Sequence, residues 1–205
     1  MSSESTIDRV IPQGRFARGL KQLAIICVGI CLSSAWAISA QAQEFSVNQA
    51  SAKLLDSVYR LDADLDYRLS PPMLDALQNG VVLTVELEIE VYRSRNYWWD
   101  ETIARLEQRY EIQYYALTEQ YLLHNLNSGS KTSYSSLDTL LFYLGMVRQL
   151  PLIDANLLDT REQYQARIRA GVDFGSLPVP LQLSAYVSGD WSKSSDWYSW
   201  RLGKR

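Results

Sequence analysis

The sequence predicts an all-β protein: a single antiparallel β-sandwich-like domain with two short helices, following an N-terminal signal or anchor helix. Three observations support this. Within the stretch 81–95, residues 83–92 alternate strictly between two sets of side chains, which gives a long strand one apolar face and one carboxylate face. Similar alternation recurs in several later stretches, and turn signals rich in Gly, Pro, Asn and Ser separate them. No internal repeat or low-complexity linker interrupts the chain, so we expect one domain over residues 43–205.

The first 42 residues have the pattern of a signal peptide. Four basic residues precede an uncharged apolar run of 18 residues at 23–40, and Ala40-Gln41-Ala42 follows it. Small residues at Ala40 and Ala42 predict cleavage after Ala42. The alternative is an uncleaved membrane anchor, because 18 residues are close to the lower limit of about 17–25 for a membrane span. The domain is therefore expected to be periplasmic, or anchored in the inner membrane through residues 20–40 and facing the periplasm.

Composition narrows the possible functions. Both cysteines, Cys27 and Cys31, lie inside the apolar run, so the exported domain would contain neither a disulfide nor a reactive thiol. The roughly 160 residues that remain are enough for one core, which buries about 70% of the unfolded surface at that size. The formal charge is −3 without a stripe of Lys and Arg, which argues against nucleic-acid binding.

The sequence of the first half of the domain predicts three strands and a helix. Alternating Phe45 and Val47 indicate a first strand, and residues 59–69 a second. Ser70 is the expected N-cap of a short helix with prolines in its first turn, which ends at Asn79-Gly80. The strand at 81–95 then follows, with one face expected on the core and the other in water.

The second half continues the antiparallel pattern. Residues 102–115 alternate again, and in several registers of a hairpin with 81–95 Arg105 or Arg109 lies opposite a glutamate. A strand at 117–126, a turn at 127–130, a strand at 161–174 and a last strand at 195–202 complete the sheets. A capping box from Ser135 to Asp138 begins a second helix, which we expect Pro151 to end.

The polar clusters do not predict a metal, a cofactor or a catalytic residue. Asp62, Asp64 and Asp66 resemble the start of a calcium loop, but the glycine and the twelfth-position glutamate of such a loop are missing, so a solvated strand face is the preferred interpretation. His124 is the only histidine, and a catalytic triad or a zinc site would have to use it. We expect His124 on a strand surface.

The loop after the strand at 81–95 is the predicted contact surface. Adjacent tryptophans on an extended segment cannot both point to the same side, so at least one of them is expected to be exposed. The candidate residues for binding a partner are Tyr97, Trp98, Trp99 and Asp100. An alternative uses the tryptophans as sugar platforms with Asp100 and Glu101 as a carboxylate pair. The tryptophans of the exported domain are Trp98, Trp99, Trp191, Trp197 and Trp200.

Several segments together resemble an exported proteobacterial family of unknown function. They are LDADLDYRLS (61–70), ALQNGVVLTVELEIEVYRSRNYWWD (76–100), QRYEIQYYALTEQYLLHN (108–125), a series of short matches over 150–181 and SDWYSW (195–200). The resemblance spans essentially the whole exported domain. It implies a signal segment, one globular domain and no established catalytic residue. It also implies an envelope context, because members of that family are often encoded beside a sensor kinase of the nitrogen-regulation type.

These observations favour a non-catalytic envelope module that binds a protein partner, as an accessory to a membrane sensor system. The alternative function is a glycan-binding or glycan-active envelope protein that uses exposed tryptophans.

Overall fold

The computed structural model describes residues 45–95, 99–182 and 194–203. Within these ranges the chain forms nine strands and two helices of eight residues, and residues 179–182 are also helical. The strands are β1 (Phe45–Leu55), β2 (Val58–Tyr67), β3 (Leu83–Arg93), β4 (Glu101–Tyr115), β5 (Gln120–Asn125), β6 (Lys131–Tyr134), β7 (Met146–Asp154), β8 (Tyr164–Val172) and β9 (Tyr198–Arg201). The helices are α1 (Pro71–Gln78) and α2 (Leu137–Leu144). Single 3₁₀ turns lie at Ala155–Leu157 and Phe174–Ser176.

The strands form two antiparallel sheets that share one core, which confirms the predicted β-rich fold. The first sheet has the order β1-β2-β7, and the second has the order β6-β5-β4-β3-β8-β9. Strand β1 lies against β8 and β9, and β7 lies against β4. Buried residues from both sheets, such as Phe45 and Leu61 from the first and Leu87 and Ile168 from the second, belong to one hydrophobic cluster. This is the face-to-face arrangement of a sandwich.

Strand β3 lies at the centre of the larger sheet and most of it is buried on both faces, with Glu86 and Glu88 partly exposed. Its apolar row faces the core as predicted, but the expectation that the other row faces water is wrong. Thr84, Glu90 and Tyr92 on that row are also buried. The reason is that β3 has a neighbour on each side, β4 and β8, whose long side chains lie across the row.

The caps of the two helices agree only in part with what the sequence predicts. Helix α1 ends at Asn79-Gly80 as predicted. Ser70 occupies the N-cap position of α1 but makes no side-chain capping bond. In α2 the cap is Ser136 and not Ser135, and the Ser136 hydroxyl accepts a hydrogen bond from the Thr139 amide at 3.2 Å. The helix stops at Gly145, whose carbonyl accepts the Leu65 amide at 2.9 Å. This bond to β2 ends α2 six residues before the expected Pro151.

Strand β7, which contains Pro151, was not predicted. It is an edge strand of the smaller sheet, where a proline does not remove a ladder hydrogen bond. Register shifts in its pairing with β2 and a positive φ of 52° at Gln149 accommodate the irregular sequence.

The predicted signal or anchor segment, with Ala40 and Ala42, lies outside the described residues. Contacts along the chain separate Met1–Ala42 from Gln43–Arg205, and every element above belongs to the second unit. Among the residues with a described structure, none of the helices is both long and apolar enough to cross a membrane.

Candidate functional site

The predicted contact loop joins β3 to β4 at one end of the sandwich. Tyr97 and Trp98 lie outside the described residues. Trp99 is 89% exposed, and Asp100 is exposed beside it. Leaving an indole side chain in water costs free energy unless another surface covers it. The exposure of Trp99 is therefore the property that the sequence predicts for a contact surface.

Ion pairs hold the base of this loop. Arg93 at the end of β3 and Arg95 both donate to the Glu101 carboxylate at the start of β4. The hydrogen bonds from Arg93 and Arg95 keep the pKa of the Glu101 carboxyl below its ordinary value. Arg93 also approaches Glu162 at 3.5 Å, which ties the hairpin to the segment before β8. The exposed Trp99 is thus carried on a fixed support, with Glu101 only two residues away.

A cleft of about 520 Å³ opens at the same end of the domain, between the two sheets. Its buried floor is formed by Tyr59, Ala155 and Leu202, and Tyr164 forms part of the wall. The Tyr59 hydroxyl donates to the Gly203 carbonyl at 2.7 Å, which joins β2 to the chain after β9. The rim is polar and includes Asp159, Thr160, Glu162, Gln163 and Arg201. An apolar floor with a few polar groups at the rim is typical of a ligand or peptide site.

Because Glu162 lines this cleft and contacts Arg93, the cleft and the Trp99 loop are neighbours. We call this part of the molecule the loop end.

Exposed leucines extend the apolar surface of the loop end. The β1–β2 turn has positive φ at both Asp56 and Ser57, and the Ser57 carbonyl accepts the Ala155 amide at 2.7 Å. Leu55 before this turn is exposed, and Leu157 after Ala155 is 74% exposed. The sequence reasoning missed both leucines and the cleft, although an apolar pair directly before a two-residue turn was a signal for the first.

The glutamate row of β3 is bound by arginines on both neighbouring strands. The register places Glu86 opposite Arg109 and Glu90 opposite Arg105, which confirms the predicted cross-strand pairing. Strand β8 adds Arg167, which donates to Glu90 through Nε at 2.8 Å. Its neighbour Arg169 donates to Glu88 at 2.8 Å. These carboxylates therefore stabilise the pairing of β3 with β4 and β8.

Trp197 lies over this charged row. The guanidinium carbons of Arg167 and Arg169 lie 4.6 and 4.5 Å from its ring centroid. Stacking on two arginines that themselves bind glutamates assigns Trp197 to the packing of the sheet. It leaves Trp99 as the exposed tryptophan of the predicted contact loop in the described part of the chain.

Glu86 has less favourable surroundings than Glu90. It shares the Arg109 guanidinium with Asp173, and the Arg109–Glu86 contact is 3.0 Å. Burial raises the pKa of the Glu86 carboxyl, and the Asp173 carboxylate raises it further. Glu107 also lies 3.4 Å from Arg109, so three carboxylates beside one guanidinium carry uncompensated negative charge.

The three aspartates of β2 have protein partners. Asp62 accepts the Gln149 amide at 2.9 Å, Asp64 pairs with Arg148, and Asp66 pairs with Arg68 at 2.9 Å. The described ranges contain no group of three or more His, Cys, Asp or Glu side chains placed to hold a metal ion.

The sequence raises His124 and the Asp100–Glu101 pair as catalytic alternatives, and of these His124 and Glu101 have local partners as well. His124 Nδ1 lies 2.9 Å from the Glu111 carboxylate on the adjacent strand β4. Because Glu101 is bound by two arginines and its pKa is lowered, it is poorly suited to be the general acid of a glycosidase.

Comparisons with curated proteins and with solved structures gave no match. A scan against family models matched residues 42–201, which is most of the chain and all of its described β-strands and helices. The predicted resemblance to a family of unknown function is confirmed at this level. The chain belongs to the family described as "Domain of unknown function (DUF4390)".

Proposed function

We propose that this protein is a non-catalytic, exported module of the cell envelope that binds a protein partner through its loop end. The observation that carries the proposal is Trp99, which is 89% exposed on a hairpin whose base is held by Arg93, Arg95 and Glu101. Large aromatic side chains presented on a rigid support are frequent anchors of protein interfaces, because little conformational entropy is lost when they are buried.

The surroundings of Trp99 support a protein partner. The cleft offers an apolar floor of Tyr59, Ala155 and Leu202 with a polar rim, and Leu157 adds exposed apolar surface near it. An apolar centre with charged groups at its edge is the usual anatomy of a protein interface. The signal-peptide pattern predicted in residues 1–42 supports a periplasmic location, and the sensor context that the family resemblance implies supports an envelope partner.

Site-specific photo-crosslinking tests this proposal. A photoreactive phenylalanine at position 99 should give a discrete adduct with one envelope protein in intact cells. The same amino acid at Val179, which is also an exposed apolar residue, is the matched control and should give none. Trp99→Asp should abolish capture of the crosslinked protein while the unfolding midpoint is unchanged. If position 99 gives no adduct, or if Val179 gives the same one, the proposal is wrong.

The exposed Trp99 and its neighbour Asp100 also suit a sugar ring, which is the specific observation behind the glycan alternative. Retention on immobilised peptidoglycan that disappears in Trp99→Ala would assign glycan binding to the loop end instead of protein binding.

A further inference from the structure

A continuous series of aromatic side chains runs along one flank of the larger sheet. The rings of Tyr114 and Tyr121 lie 4.8 Å apart, and Tyr121 lies directly opposite Tyr134 in the ladder. Tyr134 stacks on Tyr143 of α2 at 5.6 Å, and the Phe142 ring follows at 5.7 Å. The series crosses β4, β5 and β6 and ends on α2.

The outer members of this series, on α2, are exposed to solvent: Phe142 is 64% exposed and Tyr143 is about half exposed. Tyr115 and Leu117, which follow Tyr114 at the β4–β5 turn at the same end of the domain, are not part of the series but are exposed as well. We call these four residues the aromatic flank. Exposed apolar surface that continues into a packed aromatic series marks an interaction site, because isolated exposed residues would not be supported in this way.

The aromatic flank lies at the N-terminal end of the domain, opposite the loop end. Phe142 lines a cleft of about 590 Å³ together with Asn48 and Tyr67. The ring of Tyr67 contacts that of Phe45 at 5.9 Å, and Phe45 begins β1. The far end of β1, at Leu55, is ten residues away and therefore about 33 Å distant.

The length of the preceding chain limits how far this end can be from a membrane. The apolar run at 23–40 ends five residues before Phe45, and five extended residues span at most about 18 Å. If the run is anchored in a bilayer, the N-terminal end of the domain stays near the lipid headgroups.

We infer that the aromatic flank inserts into the headgroup region of the bilayer when the chain is anchored. The inference rests on the anchored form of the proposed envelope module. Phe142 and Leu117 bury apolar side chains at the acyl boundary, while the hydroxyls of Tyr115 and Tyr143 remain hydrated. The domain is thereby fixed with its loop end directed away from the membrane.

The charges beside the flank do not call for acidic lipids. Arg68 pairs with Asp66 at 2.9 Å, and Arg148 pairs with Asp64. Zwitterionic vesicles of phosphatidylcholine are therefore a sufficient probe, and binding should depend little on salt.

An environment-sensitive fluorophore on single cysteines tests the inference in the full-length chain, with Cys27 and Cys31 replaced by serine. The protein is reconstituted in phosphatidylcholine vesicles that contain a nitroxide-labelled lipid. The label at Phe142→Cys should shift its emission to the blue and be quenched by the nitroxide. The label at Leu157→Cys is the matched control at the loop end, where the side chain is also exposed, and it should keep its aqueous spectrum.

Each of the following results would overturn the inference. If the label at 142 keeps its aqueous spectrum, the flank does not touch lipid. If the labels at 142 and 157 are both shifted and quenched, the loop end is not directed away from the membrane. A blue shift at 142 that depends on protein concentration and not on the quencher would assign the flank to a second copy of the chain. A label on Cys27, in a variant in which only Cys31 is replaced by serine, distinguishes the remaining case. Quenching at 27 without quenching at 142 rejects the inference but keeps the anchored form, whereas quenching at neither rejects both and leaves partner crosslinking at Trp99 as a separate question.

Discussion

Replacing Glu90 by glutamine should destabilise the protein far more than the same change at Glu88. Both residues lie on the same row of β3 and both bind arginines of β8. The Glu90 side chain is 1% exposed, whereas Glu88 is 26% exposed. The pair therefore compares identical chemistry at two depths of burial.

The magnitude follows from the contacts of each carboxylate. Glu90 accepts from Arg105 on one oxygen and from Arg167 on the other, with Nε–O distances of 2.8 Å in both cases. Each charge-assisted hydrogen bond contributes about 1.5 kcal/mol at the low end of its range, which suits arginines that are partly in water, so Glu90→Gln should cost about 3 kcal/mol. Glu88 has Arg169 as its partner and more solvent, so Glu88→Gln should cost about 1 kcal/mol.

The pH dependence gives a second readout. Burial alone would raise the pKa of the Glu90 carboxyl, but hydrogen bonds from Arg167 and Arg105 outweigh burial and lower it. The folded state therefore binds the proton less tightly than the unfolded state. The stability due to ionised Glu90 is fully present above the unfolded pKa of about 4.3 and is lost as the pH falls through the folded pKa.

Urea unfolding followed by tryptophan fluorescence measures both effects. At pH 7 the free energy of unfolding should fall by about 3 kcal/mol in Glu90→Gln, without a change of the m-value. The gap between wild type and variant should close on acidification below the folded pKa. A Glu90→Gln variant no less stable than Glu88→Gln, or a gap that stays constant in acid, would refute the argument that burial and two arginines make Glu90 important.

Three further substitutions test other parts of the structure. Gly145→Ala would place a Cβ in collision with the Leu65 carbonyl oxygen and should cost about 2 kcal/mol or more in urea unfolding, whereas Gly203→Ala, with nothing within 4 Å of its added Cβ, should be neutral. Ser57→Gly should raise the free energy of unfolding by up to about 1 kcal/mol, because Ser57 has a φ of 65° and relief of its left-handed backbone, about 1–2 kcal/mol, exceeds the entropy cost of glycine; a loss of stability would contradict this turn assignment. Glu86→Gln should flatten the decline of stability with rising pH, since the raised pKa of Glu86 means that its ionised form opposes folding; an unchanged pH profile between pH 4 and 8 would contradict the assigned surroundings.

Part of the candidate site could be predicted from the sequence. Trp99 and Asp100 follow a long alternating strand, and adjacent tryptophans in such a position predict exposure from backbone geometry alone. The cleft could not be predicted. Its lining residues Tyr59, Tyr164 and Leu202 come from three distant parts of the chain, and their separation in sequence gives no sign that the two sheets meet there.

The alternation of side chains determined the strands and their faces. The apolar residues of β3 between Leu83 and Val91 face the core as their period of two requires, and so do those of β8 between Ala166 and Val172. Arg105 and Arg109 lie opposite glutamates of β3, as their charges predict. These are local properties, because they depend on residues within one strand or on two strands joined by a short loop.

Tertiary structure alone decided which strand lies beside which. Alternation fixes the face of a strand but not its neighbour, so nothing in the sequence placed β8 next to β3 or brought Arg167 to Glu90. The position of β7 is likewise not given by the sequence. Pro151 is typical of a helix end, but an edge strand also accepts a proline, and β7 lies at the edge of its sheet. The strand neighbours are determined by burial of a common core between residues that are far apart in sequence. A local sequence pattern does not contain that information.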